Sequence, residues 1–558
     1  MDASSNEINL SQILNYLKNL ESRISRLENL LNLENYSIQS DIKIPQFLQI
    51  KSSDKTDKLE LQIGQFWFAK SGIVILALGI IFLLTFPYNN LPPLFPIAIG
   101  YVMVSILILL SYYWRKNYAF VSKYLFGGGL LLLYFTTLRL HFFGTVPLIE
   151  NLTTEIILLI FTNIIYLIAS YKRKSSYLSS LGITLLLTTA LISNEIYFIT
   201  SALLFSSILT VLFKNKFNWE GFYTYSIFLI YFTFFLMFIN NPLLGNEIHT
   251  LKLPYITVIS LLIYAFIISV GNLFRDKTKQ EDYKIIISTM INCAGSYGLF
   301  LIITVSKFKE LLPLSHFIAS IVFLLISILF WVKEKSKYST FFYSLLGYFA
   351  LSVAIISKFT LPNFFIWLCW QSLLVVSTAI WFRSKFIVVA NFIIYLLLFI
   401  AYLILAGRIG WVSLSFGFVA LLSARILNWQ KDRLELKTEK MRIAYLVTAF
   451  FMFPYALYHI IPQQYVSLSW IGVALFYYLM SKLLNNKKYR WMALLTLVLT
   501  IIYVLIIGIT MLEPSYRIIS FLALGIVLII TSILYTKFKL KEDTEKEDNE
   551  NKNVTTVN

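Results

Sequence analysis

Eighteen apolar stretches follow one another along this chain and constrain its fold more than any other feature. A hydrocarbon core of ~30 Å needs about 20 apolar residues per helix, and each stretch supplies roughly that number. The stretches predict an all-α, polytopic integral membrane helical bundle of about eighteen transmembrane helices. They begin near Phe66, Leu94, Tyr118, Thr154, Tyr177, Ile196, Trp219, Pro254, Ile285, Leu314, Ser339, Phe364, Phe386, Ile409, Arg442, Val466, Trp491 and Tyr516.

The composition agrees with lipid as the main solvent. Of the 558 residues, 58% are hydrophobic and only 14% are charged, whereas a soluble domain carries about 25% charged residues. A single soluble core could not hide this much apolar surface, because such cores stop growing near ~300 residues. The lipid bilayer is therefore the first predicted partner.

The positive charges alternate from one connection to the next. With a cytoplasmic N-terminus, the inside connections hold 26 lysines and arginines and the outside connections hold 7. The positive-inside rule predicts this bias, which orients the chain with both termini cytoplasmic. The expected location is the cell inner (cytoplasmic) membrane. The net charge of +18 does not indicate nucleic-acid binding, because the cations form short clusters between apolar runs.

Soluble segments flank the predicted transmembrane domain of residues 61–540. Leucines and isoleucines in residues 1–33 follow the 3-4 spacing of a coiled coil, through which the chain would self-associate or bind a cytoplasmic partner. A single amphipathic helix docked on a partner or on lipid is the alternative. Residues 34–60 resemble a flexible linker, and the charged tail 541–558 is predicted to be disordered. The coiled-coil positions are Leu10, Ile13, Leu17, Leu20, Ile24, Leu27 and Leu31.

Three consecutive glycines, Gly127, Gly128 and Gly129, lie near the middle of the third stretch, and Tyr134 follows them. Either they let neighbouring helices approach closely, or they interrupt the helix and expose its backbone to a ligand, as in secondary transporters. The middle third of each stretch lacks Asp and Glu, and Glu155 and Glu195 lie at stretch ends. Packing is therefore the favoured role.

Neutral amides are the main polar groups at depth, and they include Asn163, Asn292, Asn391 and Gln371. Such groups more often form interhelical hydrogen bonds than bind ligands. The chain has no HExxH, GxSxG or Walker A motif, and its four histidines lack metal-ligand spacing. The sequence thus predicts no catalytic residue, no cofactor and no metal site.

Three stretches together resemble a known family. They are "LELQIGQFWFAKSGIVILALGIIFLL", the glycine run with "LLLLYF", and "SYRIISFLALGIVLIITSILYTKFK". In this order, after a coiled coil, they resemble the multi-pass bacterial membrane proteins catalogued as domain of unknown function 2339. The resemblance covers about residues 60 to 540 and implies an architecture but no activity.

Some positions depart from the family pattern. A lysine and an aspartate that precede its last motif correspond here to Tyr503 and Gly508, and a glutamate that follows a tryptophan corresponds to Gln371 after Trp370. Arg517 is retained in the last motif. It is either an arginine that extends to the membrane interface, which is the favoured role, or a contact for an anion or headgroup.

Three functional hypotheses remain. The first is a non-enzymatic scaffold or handler of a hydrophobic or lipid-linked substrate in the cell envelope. The second is a transporter with a midplane site at the three glycines. The third is a membrane enzyme that acts on lipid headgroups at the outer face. The candidate functional or packing residues are Gly127, Gly128, Gly129, Tyr134, Gln371 and Arg517.

Overall fold

A computed structural model describes most of the region that is predicted to cross the membrane. The predicted coiled coil, linker and charged tail lie outside the described residues, as does the stretch that begins near Phe66, apart from one position. The described residues are 79, 92, 94–143, 146–273, 283–334, 336–406, 410–429, 438–484, 486–508 and 514–533.

Seventeen helices in this part of the chain are long and apolar enough to cross a membrane. The first nine are α1 (Leu94–Tyr113), α2 (Ala119–Leu138), α3 (Leu152–Lys172), α4 (Ser176–Ser193), α5 (Ile196–Phe217), α6 (Glu220–Phe238), α7 (Tyr255–Leu273), α8 (Tyr283–Lys307) and α9 (Leu312–Glu334). The others are α10 (Lys337–Lys358), α11 (Phe364–Trp381), α12 (Lys385–Leu405), α13 (Val412–Trp429), α14 (Thr438–Ile460), α15 (Val466–Leu483), α16 (Lys487–Tyr503) and α17 (Pro514–Ile533).

These helices follow the predicted stretches closely. The largest difference at a helix start is four residues, as at α14, which begins at Thr438 rather than at Arg442. The predicted stretches that begin near Tyr177 and Ile196 are two separate helices, because Asn194 adopts a left-handed conformation with φ of 55° and ends α4. The all-helical fold is therefore confirmed for the described residues, with helices long and apolar enough to cross a membrane, while the total of eighteen remains a prediction.

Consecutive helices run in opposite directions, because short connections join them. Alternate connections consequently lie at the same end of the array. We call the end that holds residues 172–174, Lys214 and Lys216 the basic end, and the other the opposite end. Side chains that face outward between the ends are mostly apolar, for example Leu109 and Leu397, which are 68% and 58% exposed. Such a surface suits lipid.

The helices pack as an open series. Among the described helices, extensive contacts join only pairs that are one or two positions apart in chain order. One buried core extends from Ile183 to Ala350, and a second extends from Tyr348 to Ala493. Both cores include residues of α10. This helix therefore forms the seam between the two largest packed regions.

Candidate functional site

The glycine run lies within a continuous helix. A methyl group on Gly127 would come within 3.2 Å of the Leu178 side chain of α4, and one on Gly129 within 3.3 Å of the Ile108 side chain of α1. The Tyr166 hydroxyl donates a 3.4 Å hydrogen bond to the main-chain carbonyl of Gly127. The missing side chains thus let α2 approach helices on two sides, as small residues do in membranes.

A buried polar cluster that includes Tyr134 joins α2, α3 and α4. Asn163 Nδ2 donates a 2.9 Å hydrogen bond to Thr189 Oγ1, and the Thr189 hydroxyl donates to the Leu185 carbonyl at 2.8 Å. Because the only hydroxyl proton of Thr189 is used, the Tyr134 hydroxyl is the donor in its 3.0 Å hydrogen bond to Thr189. The Asn163 Oδ1 atom is buried without a hydrogen-bond partner among the described residues.

Glu155 belongs to the same group of helices and is fully buried, with 0% of its surface exposed. Neither of its carboxyl oxygens has a hydrogen-bond partner in the described part of the chain. It lies in the first turn of α3, where unpaired backbone N–H groups create a positive potential. The sequence alone does not indicate that Glu155 is buried whereas Glu195 is exposed, because both lie at the ends of apolar stretches.

Arg173 directly follows α3 and lies at the basic end of the α2–α4 helices. Its guanidinium lies 3.4 Å from the centre of the Phe126 ring. Burial lowers the pKa of Arg173, and the neighbouring charge of Arg115 lowers it further. Arginine nevertheless stays protonated at physiological pH, so this contact is a cation–π interaction that holds α3 against α2.

Gln371 lies on α11 and faces the seam at α10. Its Nε2 atom donates hydrogen bonds to the Tyr348 carbonyl at 2.7 Å and to Ser352 Oγ at 3.0 Å. Next to it, Ser372 Oγ accepts a 2.8 Å hydrogen bond from Asn391 of α12. The side-chain amides of Gln371 and Asn391 therefore both form interhelical hydrogen bonds, as the sequence predicts. Gln371 joins α11 to α10, and Asn391 joins α12 to α11 at the next residue, Ser372.

A wide groove opens beside Gln371 and has a volume of about 820 Å³. It runs between α9, α10 and α11 toward the opposite end of the array. Several wall residues face outward, since Leu314 and Leu374 are each 57% exposed and Trp367 is 50% exposed. The walls are apolar except for Gln371 and Lys358. They include Pro313, Leu314, Ala354, Lys358, Trp367, Gln371 and Leu374.

A narrow groove of about 280 Å³ lies on another side of Gln371. It lies between α10, α11 and α12 and extends to Phe341 and Ile387, which are near the basic end. Gln371 lines both grooves, as the polar group at which they meet. The sequence predicted the amide but could not indicate the grooves, because these depend on how three helices diverge.

Arg517 lies in the first turn of α17 at the opposite end. This helix packs on α15 through a 2.7 Å hydrogen bond between Ser520 and Ser467 and through the rings of Tyr516 and Tyr465, whose centres are 5.4 Å apart. The candidate residues thus fall into three places: residues 127–134 on α2, Gln371 on α11, and Arg517 on α17. Extensive contacts reach only two helices along the series, so the structure does not bring these places together.

Within the residues that the structure describes, no group of three or more histidine, cysteine, aspartate or glutamate side chains could hold a metal ion. Comparison with known proteins gives no relative: no family model, no curated protein and no solved structure matches the chain. The grooves beside Gln371 are therefore the features of the molecule that bear on its function.

Proposed function

We propose that this chain is a non-enzymatic integral membrane protein that binds the hydrocarbon part of a lipid or lipid-linked molecule in the wide groove. The supporting observation is an apolar groove of about 820 Å³ that opens toward the lipid-facing surface and has a buried amide in its wall. It lies at the seam between two packed cores, and ligand sites favour such boundaries between packed units.

Burial of a chain from bilayer into this groove gains little from the hydrophobic effect, because lipid tails are as apolar as leucine. The free energy of binding would come from shape complementarity with the walls, and selectivity would come from the polar groups. This favours the handling of a particular lipid over general adhesion to the bilayer.

The glycine helix gives less support to the transporter hypothesis. A midplane site requires an interrupted helix that lines a polar cavity, whereas α2 is continuous and its glycines contact the side chains of Leu178 and Ile108. An enzyme that acts on headgroups needs converging acids or bases, and only Lys358 is charged among the groove walls.

We also propose where the protein lies in the cell. The protein would lie in the inner membrane with both termini cytoplasmic, and residues 10–31 would form a coiled coil for self-association or for a cytoplasmic partner. The resemblance to the family of domain of unknown function 2339 agrees with this architecture and adds no activity.

Photocrosslinking tests the groove. The protein is placed in nanodiscs that contain a phospholipid with a diazirine in its acyl chain, and adducts are mapped by mass spectrometry. We expect them to concentrate on α10 and α11, and we expect Leu374→Trp and Ala354→Phe to reduce them by filling the groove. Leu325→Trp is the matched control, because Leu325 is 53% exposed on α9 and does not line the groove. Adducts spread evenly over exposed apolar residues would contradict the proposal.

A further inference from the structure

Lys358 is an exposed cation at the end of an apolar groove. It is the last residue of α10 and one of the residues that line the wide groove. No carboxylate among the described residues lies within ion-pair distance of it. Phe359 and Trp367 stack beside it, with ring centres 5.1 Å apart and planes inclined by 19°. The groove thus ends in an aromatic pair and one positive charge, where a lipid headgroup would lie.

The neighbouring connection adds positive charge. Lys307 is the last residue of α8, and Lys309 lies in the connection to α9, a few residues before Pro313 of the groove wall. Glu310 is the acid beside them. The opposite end has few described cations: Arg139, Lys252, Lys307, Lys309, Lys358 and Arg517. Of these, Lys358 lines the groove, and Lys307 and Lys309 are close in sequence to Pro313 and Leu314 of its wall. The positive-inside bias depletes this end of cations elsewhere.

The length of the groove matches the acyl chain of a lipid in one leaflet of the bilayer. Its lining includes Gln371, which is hydrogen-bonded to the Tyr348 carbonyl of α10, and Lys358, the last residue of α10. The segment of α10 from Tyr348 to Lys358 spans about 15 Å at 1.5 Å per residue. This is about half of the ~30 Å hydrocarbon core. A lipid chain that enters beside Lys358 would therefore reach Gln371 at about the depth of one leaflet.

We propose that the wide groove binds an anionic, phosphate-bearing membrane lipid, with its phosphate at Lys358 and its chain along the groove toward Gln371. This inference rests on the proposed function and specifies the ligand class of the same site. Since the apolar walls cannot distinguish one acyl lipid from another, Lys358 is the group that discriminates between headgroups. Lys307 and Lys309 raise the local positive potential, and Glu310 reduces it.

Lipid exchange with matched acyl chains tests the headgroup. The full chain is purified in nanodiscs, and retained dioleoyl-phosphatidylglycerol is compared with retained dioleoyl-phosphatidylcholine by native mass spectrometry. A lysine near the surface is worth ~1 kcal/mol toward an anionic lipid, so we expect about a fivefold preference for phosphatidylglycerol that Lys358→Gln abolishes. Lys358→Arg should keep the preference, and Lys252→Gln should leave it unchanged, because Lys252 is exposed at the same end but outside the groove.

The outcomes separate the two proposals. If Lys358→Gln retains the full preference, or if Lys252→Gln removes as much of it, the headgroup assignment is wrong. If lipid is retained equally with either headgroup and Leu374→Trp reduces both, the groove binds lipid and only the assignment to anionic lipid fails. If Leu374→Trp changes the retention of neither lipid, the groove does not bind lipid and the proposed function fails with it.

Discussion

The side-chain amide of Gln371 donates a 2.7 Å hydrogen bond to the main-chain carbonyl of Tyr348 on the neighbouring helix. The same nitrogen donates to Ser352 Oγ at 3.0 Å. We expect Gln371→Leu to lower the free energy of unfolding by about 0.6 kcal/mol and by no more than about 1.7 kcal/mol, the measured range for interhelical hydrogen bonds in membranes. Unfolding by SDS in mixed micelles measures this change.

A double-mutant cycle with Ser352→Ala provides the control. Because Ser352 also donates to the Tyr348 carbonyl at 3.0 Å, its removal alone disturbs the same acceptor. The two substitutions should be non-additive, since residues in one hydrogen-bond network couple. Additive effects would show that Gln371 and Ser352 act independently, contrary to the geometry.

Removal of the Glu155 carboxyl should stabilise the protein. Both oxygens are buried without a hydrogen-bond partner among the described residues, and an unsatisfied buried polar group costs about 1–3 kcal/mol. Glu155→Met keeps a similar length without the polar atoms, so we expect a higher thermal midpoint in nanodiscs at neutral pH. The exposed Glu195 serves as the control, because Glu195→Met should change stability by less than about 0.5 kcal/mol. A lower midpoint for Glu155→Met would mean that the carboxyl has a stabilising partner.

Two glycines of α8 should respond in opposite directions to the same substitution. A methyl group on Gly295 would lie 2.5 Å from the Tyr231 ring, whereas nothing lies within 4 Å of one on Gly298. We expect Gly295→Ala to cost about 1–3 kcal/mol through overpacking. Gly298→Ala should stabilise the helix by up to about 1 kcal/mol through its propensity. Equal effects in an unfolding assay would contradict the close approach of α6 and α8.

The sequence predicted the helices well because bilayer thickness fixes their length. Even the pair divided at Asn194 was recognisable, since each half was long enough to cross. It also identified Gln371, because an amide within an apolar stretch needs a partner. It could not predict the burial of Glu155 or the grooves beside Gln371. Those features depend on which faces of distant helices meet, and hydropathy along one helix carries no information about its neighbours.

The orientation of the chain is a prediction that cysteine labelling can test. Lys174 and Asn194 lie at the two ends of α4, in connections between helices, and both are exposed. The positive-inside rule places the cationic connection at residues 172–174 in the cytoplasm. In a chain whose Cys293 and Cys369, both buried, are changed to serine, Asn194→Cys should react with an impermeant maleimide in intact spheroplasts. Lys174→Cys should react only after lysis. Labelling of both cysteines from the same side would contradict the predicted topology, and with it the placement of Lys358 at the outer face of the membrane.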